Sequence, residues 1–399
     1  MENKIFIFAL AAHGQGISGG DRIFIEFARR WSKKIPISIF VWEEGYRMCQ
    51  RQDLDVSSTM YYVSSMNPWK HLGFIINYLA CIVEGVKIGL TLKVENSSNT
   101  IVYSASEFWM DSLPALFLKL RCSKIRWVAA WFQTAPNLWM GFTEGKREER
   151  YRSKALIYFL IQFPIKFFIN KFADFVLVNN EEEKKQFPAF DKRGKAIVVL
   201  GAVNIKEIEK WRLKFKNLTK VYDGVFQGRF HPQKGTLELI DIWKLVVSQK
   251  KDAKLVMIGD GPLMKKVKIK IKDEKLENNI ILTGYLFDGE EKYRIFSQSK
   301  IVVHPAFYDS GGMAAAEAMA FGLPAVGFNL KSFESYYPQG MIKVQIGNLE
   351  DFASKILDLL NNEVKRKRVG NNALDMINQK WSWDMRAQEI LGRLMPICI

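Results

Sequence analysis

Short apolar runs alternate with longer amphipathic stretches along most of this chain. Apolar runs of a few residues are typical of strands that a parallel sheet buries on both faces. The runs that predict strands are 5–11, 37–41, 60–63, 100–104, 125–130, 175–178, 197–200, 224–227, 254–258, 280–283, 301–303, 325–328 and 341–344. Amphipathic stretches such as 21–30 and 236–247 predict helices between them. Because strands that alternate with helices form parallel sheets, the pattern predicts an α/β protein.

The loop after the apolar run 301–303 carries the most informative chemistry. Asp309 and Glu317 bracket a Ser-Gly-Gly turn, and Met313 begins a stretch of strong helix formers. Glycines let a backbone approach a ligand closely, and the first amides of a helix form an anion site. We therefore expect this loop to bind a phosphate together with sugar hydroxyls.

This pattern resembles the acidic motif of the retaining glycosyltransferases of family 4, written E-x(7)-E and followed by EAMA-x-G-x-P-V. Here the motif is D-x(7)-E, from Asp309 to Glu317, and the run EAMAFGLPAV occupies 317–326. The resemblance implies that Asp309, which replaces the first Glu, contacts the donor sugar and that Glu317 binds the ribose of the nucleotide. The alternative is an alanine-rich core helix after a glycine turn.

A second motif lies between a predicted strand and a predicted helix. Arg229 ends the run GVFQGR, and HPQKG follows with Lys234. The motif resembles the G-R-(x)n-K-G signature, which implies that Arg229 and Lys234 clamp the donor diphosphate. Fixed cations suit this role because a departing nucleoside diphosphate develops negative charge.

Three further segments resemble the family more weakly. Residues 254–262 form a strand and glycine turn, and 280–285 form the next strand with the loop that borders the base. The loop 13–22 resembles the G-G-x-x-R turn that approaches the donor phosphates and the acceptor. For 254–262 and 280–285, ordinary strand-to-loop architecture is the competing interpretation. The residues thus assigned to donor binding are Gly19, Gly20, Gly228, Gly259, Tyr285, Ser310, Gly311, Gly312 and Met313.

The resemblance covers nearly the whole chain and implies the GT-B fold, in which two Rossmann-like parallel-sheet domains face a cleft. Residues 201–204 (GAVN) resemble the end of the family's first domain, and 381–395 resemble the final helix, which crosses back to it. The expected divisions are 1–204 for the N-terminal acceptor-side domain, 205–220 for a linker, 221–380 for the nucleotide-sugar domain and 381–399 for the crossover helix.

Composition agrees with a folded enzyme that has two domains. A chain of 399 residues is long for one core, and 48% hydrophobic with 25% charged residues is globular. The four cysteines are scattered, and neither they nor the four histidines have metal-ligand spacing. We therefore expect no cofactor, a metal-independent reaction and, since no leader is apparent, reduced thiols in the cytoplasm.

The net charge of +16 indicates an anionic binding partner, such as a nucleic acid or a membrane surface. No nucleic-acid-binding module is recognisable, so nucleic acid is not expected. Residues 146–171 combine basic side chains with an apolar, aromatic run that suits an anionic membrane surface. This run predicts a peripheral location on the inner face of the membrane. The alternative is a helix packed on the first domain's sheet with a solvated basic end.

The acceptor side departs from the family pattern. The loop after strand 125–130 lacks the His that family 4 members often carry there. Glu107, His13 and Trp131 are the acceptor candidates, with core packing an equal alternative for the aromatic ring. The resemblance implies that an oxygen of the donor phosphate takes the acceptor proton on the same face, without a dedicated protein base.

Together these residues predict a retaining, metal-independent glycosyltransferase. The expected substrates are a nucleotide-diphosphate sugar, with a UDP-sugar favoured, and a glycan or lipid-linked acceptor. The alternatives are a GT-B epimerase or phosphorylase, or a basic nucleic-acid- or membrane-binding protein without activity. The sequence leaves the oligomeric state open.

Overall fold

The computed structural model describes residues 2–14, 16–54, 59–64 and 73–395. The strands are β1 Lys4–Phe8, β2 Ile37–Trp42, β3 Thr59–Ser64, β4 Thr100–Ser104, β5 Arg126–Trp131, β6 Phe175–Val178, β7 Ala196–Val198, β8 Tyr222–Gln227, β9 Leu255–Ile258, β10 Ile280–Gly284, β11 Ser299–His304, β12 Ala325–Phe328 and β13 Met341–Val344. The helices are α1 Gly19–Trp31, α2 Glu43–Arg51, α3 Phe74–Thr91, α4 Trp109–Arg121, α5 Arg152–Phe172, α6 Glu181–Lys184, α7 Pro188–Asp191, α8 Ile205–Lys214, α9 Thr236–Gln249, α10 Met264–Asp273, α11 Glu290–Gln298, α12 Met313–Met319, α13 Ser332–Tyr336, α14 Leu349–Asn361, α15 Glu363–Lys380 and α16 Trp383–Leu394.

The chain forms two compact units. The first comprises Met1–Ala135, Ile157–Gly201 and Trp383–Ile399, and the second comprises Pro136–Leu156 and Ala202–Ser382. Within the described ranges, the first unit contains a seven-stranded sheet in the order β3-β2-β1-β4-β5-β6-β7. The second contains six described strands in the order β10-β9-β8-β11-β12-β13. The pairing of β1 with β4 and of β8 with β11 is parallel, as are the other strand pairings, which confirms the predicted fold of two Rossmann-like parallel sheets.

One face of the first sheet is covered by a layer made of α3, α4 and α5. Leu116 of α4 and Ile169 of α5 share a buried cluster with Trp127 of the sheet, and Val86 of α3 packs against that cluster. Two glycines let α3 approach α4 closely. A Cβ at Gly85 would lie 2.7 Å from the Met110 carbonyl oxygen, and one at Gly89 would lie 2.8 Å from the Pro114 Cα.

The C-terminal helix α16 belongs to the first unit. The Trp31 indole N–H of α1 donates to the Ala387 carbonyl at 2.8 Å, and the Phe27 ring lies 6.3 Å from the Trp383 ring. The end of the predicted crossover segment, 396–399, lies outside the described residues.

The stretch predicted as a linker, 205–220, contains a packed helix. Trp211 of α8 lies 6.2 Å from Tyr293 of α11 between ring centroids, and Lys214 contacts Glu290 at 3.2 Å. The start of the second unit therefore lies at about residue 202. Apolar burial of one face of α8 explains the difference, because the sequence shows mainly its charged face.

Residues 136–156, which the sequence assigns to the first domain, belong to the second unit. We call them the inserted segment. Arg147 anchors this segment through a 2.7 Å ion pair between its Nε and the Glu238 Oε1 of α9. The Glu144 amide also donates to the Phe307 carbonyl at 3.0 Å. These contacts are distant in sequence, so no local pattern indicates them.

Candidate functional site

The carboxyl ends of β8 and β11 position the predicted phosphate-binding residues. These two strands are parallel neighbours, so the loops that follow them leave the same edge of the sheet. In open α/β sheets, ligands bind outside this edge. The Phe307 amide donates to the Gln233 carbonyl at 2.9 Å, which joins the two loops through their backbones. Gly235 has a φ of +65°, and a Cβ there would lie 2.0 Å from the Pro305 carbonyl oxygen, so only glycine lets the loops meet.

Asp309 is buried, and its carboxylate organises the loop after β11. Its Oδ1 accepts hydrogen bonds from the Gly311 and Gly312 amides at 3.2 and 3.1 Å. Its Oδ2 contacts the Lys234 ammonium and lies 3.0 Å from the His304 Nε2. Asp309 itself therefore binds the amides of Gly311 and Gly312, two residues that the sequence assigned to donor binding. This carboxylate holds the loop and Lys234.

The charge state of Asp309 follows from these contacts. Burial alone would raise the pKa of its carboxyl, but the Lys234 ammonium and the His304 hydrogen bond outweigh burial and hold that pKa well below its usual range. Burial lowers the pKa of His304, against the opposing effect of Asp309. At neutral pH the pair is thus an ionised Asp309 and a neutral His304, whose ring donates when Nε2 carries the proton.

Glu317 lies in α12 and is held by two donors that the sequence did not single out. Its Oε2 accepts from the Gln227 side-chain amide at 3.0 Å and from the Lys292 ammonium at 2.8 Å. Lys292 is 1% exposed and also pairs with Asp288. Although burial opposes it, attraction to Glu317 and Asp288 raises the pKa of Lys292, so it stays charged. No hydrogen bond from a described residue reaches the Glu317 Oε1, which leaves that oxygen available for a hydroxyl.

The glycines around Asp309 are required by close packing. A Cβ at Gly311 would lie 2.6 Å from the Tyr336 ring. Gly312 has a φ of +59°, and its carbonyl accepts from the Tyr337 hydroxyl at 2.6 Å. Ser310 and Met313 are half-buried on the same loop.

The remaining second-unit candidates lie at the same sheet edge, after β8, β9 and β10. Arg229 is exposed, and no described residue hydrogen-bonds its guanidinium. A Cβ at Gly259 would lie 1.9 Å from the Gly228 carbonyl oxygen, so these two loops touch. Tyr285 is half-buried, with its ring edge-on to Phe287 at 5.1 Å.

Four cations lie close to His231, and the sequence identified only two of them, Arg229 and Lys234, as site residues. Burial, and then the charges of Arg229, Lys154, Lys234 and Arg147 in that order, lower the pKa of His231 to about 3. Two of these cations, Arg147 and Lys154, come from the inserted segment. Phe142 of the same segment lies edge-on to the His231 ring, with centroids 5.4 Å apart. The only sequence signal for this arrangement is the basic run itself, which the sequence pattern assigned to a membrane surface.

The first-unit candidates divide into loop and interior residues. Gly19 begins α1, and Gly20 is packed near the Phe132 ring, 3.3 Å from an added Cβ. His13 lies 3.7 Å from Glu44 and 3.5 Å from the Cys81 sulfur. A cavity of about 50 Å³ opens beside Gly20, lined also by Ser18, Asp21, Ser106 and Asp111.

Trp131 and Glu107 are interior residues. Trp131 is 1% exposed, donates to the Thr134 hydroxyl at 2.8 Å and packs edge-on to Phe187, which agrees with the core-packing alternative. Glu107 is 5% exposed and accepts from the Tyr158 hydroxyl at 3.0 Å. Burial raises the pKa of Glu107 to about 7. Neither residue lines the cavity beside Gly20.

Comparisons with known proteins agree with this geometry. A poly(ribitol-phosphate) alpha-N-acetylglucosaminyltransferase of Staphylococcus aureus is 32% identical over 39% of this chain and 31% of its own length. An uncharacterized glycosyltransferase of Methanocaldococcus jannaschii is 31% identical over 48% of this chain and 51% of its own length. The chain thus spans about a third of the first relative's length and about half of the second's.

The fold also matches a solved structure over its full length. Anabaena HepE, crystallised with UDP and glucose, superposes with a TM-score of 0.71 at 15% identity, covering 98% of this chain and 99% of that one. Residues 207–376, which include every catalytic candidate at the second sheet's edge, match the family described as Glycosyl transferases group 1.

Proposed function

We propose that this protein is a retaining glycosyltransferase that transfers a hexose-type sugar from a UDP-sugar to a glycan or lipid-linked acceptor. The observation that carries the proposal is the arrangement of Lys234, Asp309 and Glu317 at the carboxyl edge of one parallel sheet, with Arg229 exposed beside them. Cations, an ordered glycine loop and a carboxylate with one free oxygen are the groups that a nucleotide sugar requires.

The cations bind the donor diphosphate and stabilise its departure. Arg229, Lys154 and Lys234 are all close enough to His231 to lower its pKa, whereas the fourth cation near this ring, Arg147, is buried and paired with Glu238. A site with that much positive charge attracts the diphosphate and neutralises the charge that develops on the leaving group. Arg229 supplies a planar fork of donors, and Lys234 supplies a point charge that Asp309 keeps in place.

Asp309 acts as a positioning residue. Its carboxylate accepts hydrogen bonds from the Gly311 and Gly312 amides and also contacts the Lys234 ammonium and the His304 ring. It therefore has little hydrogen-bonding capacity left for sugar hydroxyls. The donor contact that the family motif assigns to a Glu therefore comes here from the loop that Asp309 shapes.

Glu317 orients the nucleoside. Gln227 and Lys292 fix its Oε2, and Oε1 accepts a ribose hydroxyl. A donor phosphate oxygen takes the proton of the attacking acceptor hydroxyl on the face that the leaving group occupies. The same-face geometry retains the anomeric configuration.

The comparisons support the choice of substrates. HepE binds UDP and glucose, which favours a UDP-sugar donor. The staphylococcal relative is named for a poly(ribitol-phosphate) acceptor and an alpha-linked product. A phosphate-containing polymer or a lipid-linked glycan is therefore the acceptor class to test first.

Thermal unfolding with a panel of UDP-, GDP- and ADP-sugars tests the donor assignment. A donor present at about 100 times its Kd stabilises the chain by about 2.7 kcal/mol, so a true donor raises the unfolding temperature clearly. Arg229→Ala should reduce the UDP-sugar shift, whereas Lys266→Ala, which changes an exposed lysine of α10, should keep it. Equal shifts in both variants, or none in the wild type with any nucleotide sugar, would refute the assignment. Sugar release without transfer would favour the epimerase or phosphorylase alternative.

A further inference from the structure

The helical layer of the first unit exposes large apolar side chains on its outer side. In α3 these are Ile75, Ile76, Leu79 and Val83, and in α5 they are Ile157, Leu160, Phe163 and Phe167. We call these eight side chains the apolar face; their exposure ranges from 42% to 72%. Both helices pack through their opposite sides on the cluster that contains α4. Large apolar side chains that are exposed along one side of a helix in this way indicate an interaction site.

The pattern along α5 separates an outer stripe from an inner one. The four exposed positions recur at steps of three or four residues, whereas Gln162, Ile165 and Ile169 are buried. The stripe is therefore built into the helix register and is not a scatter of single exposed residues.

The charge around this face complements an anionic surface. Helix α5 contains no acidic residue, and Lys166 and Lys171 lie in the half of the helix that carries the stripe. At the end of the stripe, the exposed Lys171 ammonium lies 6.0 Å from the Phe167 ring. In α3 the single acidic side chain, Glu84, contacts Lys87 at 3.7 Å. Basic residues that flank exposed aromatic and aliphatic side chains are typical of helices that lie in a membrane interface.

Helix α5 is also the one helix, among the described residues, long and apolar enough to cross a membrane. The packing of α5 on the sheet of the first unit excludes a membrane-spanning α5 in this fold. Strands β5 and β6, which precede and follow α5, are parallel neighbours, and Ile165 and Ile169 of α5 pack in the buried cluster of that sheet. Gln162 also ties the inner side of α5 to the loop after β5, where it accepts from the Ala135 amide at 2.6 Å. Docking on the surface keeps these contacts, whereas spanning would break them.

We propose that the apolar face of α3 and α5 docks on an anionic lipid bilayer, with its side chains inserted at the level of the headgroups. The inference is independent of the proposed sugar chemistry. It also corrects the sequence interpretation of 146–171 as one membrane-binding segment, because Arg147 is buried against Glu238 in the second unit and is not available to lipid. The docking surface is the outer stripe of α5 together with α3.

Co-sedimentation of the full chain with phosphatidylcholine vesicles, with and without phosphatidylglycerol, tests the proposal. Replacement of Leu160, Phe163 and Phe167 with Gln should reduce binding to the anionic vesicles at least tenfold. The matched control replaces Leu213, Ile269 and Val364, apolar residues of the second unit that are 59% to 81% exposed, with Gln and should bind as the wild type does. The wild type should bind neutral vesicles much more weakly, and added salt should weaken its binding to anionic ones.

Sedimentation velocity and UDP binding separate lipid docking from self-association and from misfolding. Both Gln variants should remain folded and keep the UDP affinity of the wild type, because no substituted residue contacts the phosphate site. Equal vesicle binding by the stripe variant and the wild type would overturn the proposal. The proposal would also be overturned if the wild type did not bind vesicles but self-associated through the stripe. That result would show that a second copy of the chain, and not a bilayer, covers the apolar face.

Discussion

Arg147 is the residue whose replacement best tests the arrangement of the second unit. Its side chain is 1% exposed, its Nε lies 2.7 Å from the Glu238 carboxylate and its guanidinium lies 4.3 Å from the centroid of the Phe307 ring. It also donates to the Phe142 carbonyl at 3.0 Å. Arg147→Met keeps the apolar stem but leaves the Glu238 carboxylate without its cation.

Removal of one partner of a buried ion pair costs about 3–5 kcal/mol. For a unit of about 200 residues, each kcal/mol shifts the unfolding temperature by roughly 2–4 °C. We therefore expect Arg147→Met to lower the unfolding temperature of the second unit by about 6 °C or more. Lys146→Met is the matched control, because Lys146 is exposed on the same segment and its replacement should change the unfolding temperature by less than about 2 °C.

The double variant Arg147→Met, Glu238→Gln separates the charge from the packing. Since most of the penalty is the uncompensated carboxylate, this variant should recover more than half of the lost stability. The inserted segment also packs Phe142 against His231. Arg147→Met should therefore weaken UDP binding as well, which isothermal titration below the unfolding transition would measure. Unfolding of Arg147→Met within about 1 °C of Lys146→Met would refute the anchoring role.

Three further predictions concern catalysis and pH. Arg229→Ala and Lys234→Ala should each lower turnover at least about tenfold, since a charge-assisted contact contributes roughly 1.5–3 kcal/mol, and wild-type-like kinetics would remove that residue from the site. Transfer should persist in excess EDTA, because the proposed site neutralises the diphosphate with protein cations; loss of activity that Mg²⁺ or Mn²⁺ restores would contradict this mechanism. Burial raises the pKa of Glu107 to about 7 and that of Asp111 to about 8, so the folded state holds these two protons more tightly than the unfolded state does. The stability gained in this way is present at low pH and is lost as pH rises from about 4 through about 8. Urea unfolding at pH 5 and pH 8 should show a smaller difference for Glu107→Gln than for the wild type, and an unchanged difference would argue against burial of an ionisable Glu107.

The sequence predicted the sheets well because their signals are local. Buried parallel strands appear as apolar runs, and glycine turns follow them, so β8, β11, the loop with Lys234 and the helix with Glu317 were found where the pattern predicted them. Lys292 was missed because lysine is rarely buried, and its role depends on Glu317, which is 25 residues away in sequence. The inserted segment was assigned to the wrong unit for a similar reason. Its basic residues indicate positive charge, but only tertiary contacts decide whether that charge meets a lipid headgroup or a buried carboxylate.

The contacts of Asp309 change what the two diphosphate cations contribute. Before the donor binds, the buried Asp309 carboxylate already balances the charge of Lys234, so Lys234 attracts the donor less strongly. The same ion pair holds the ammonium in place, so little side-chain entropy is lost when the donor binds. Arg229 is exposed and has no partner among the described residues, so its full charge is available to an approaching diphosphate, at the entropic cost of ordering a long side chain. Arg229 should therefore contribute mainly to capture of the donor. Lys234, fixed before the donor arrives, should contribute mainly to stabilisation of the leaving group, because preorganised charge requires no rearrangement as the bond breaks.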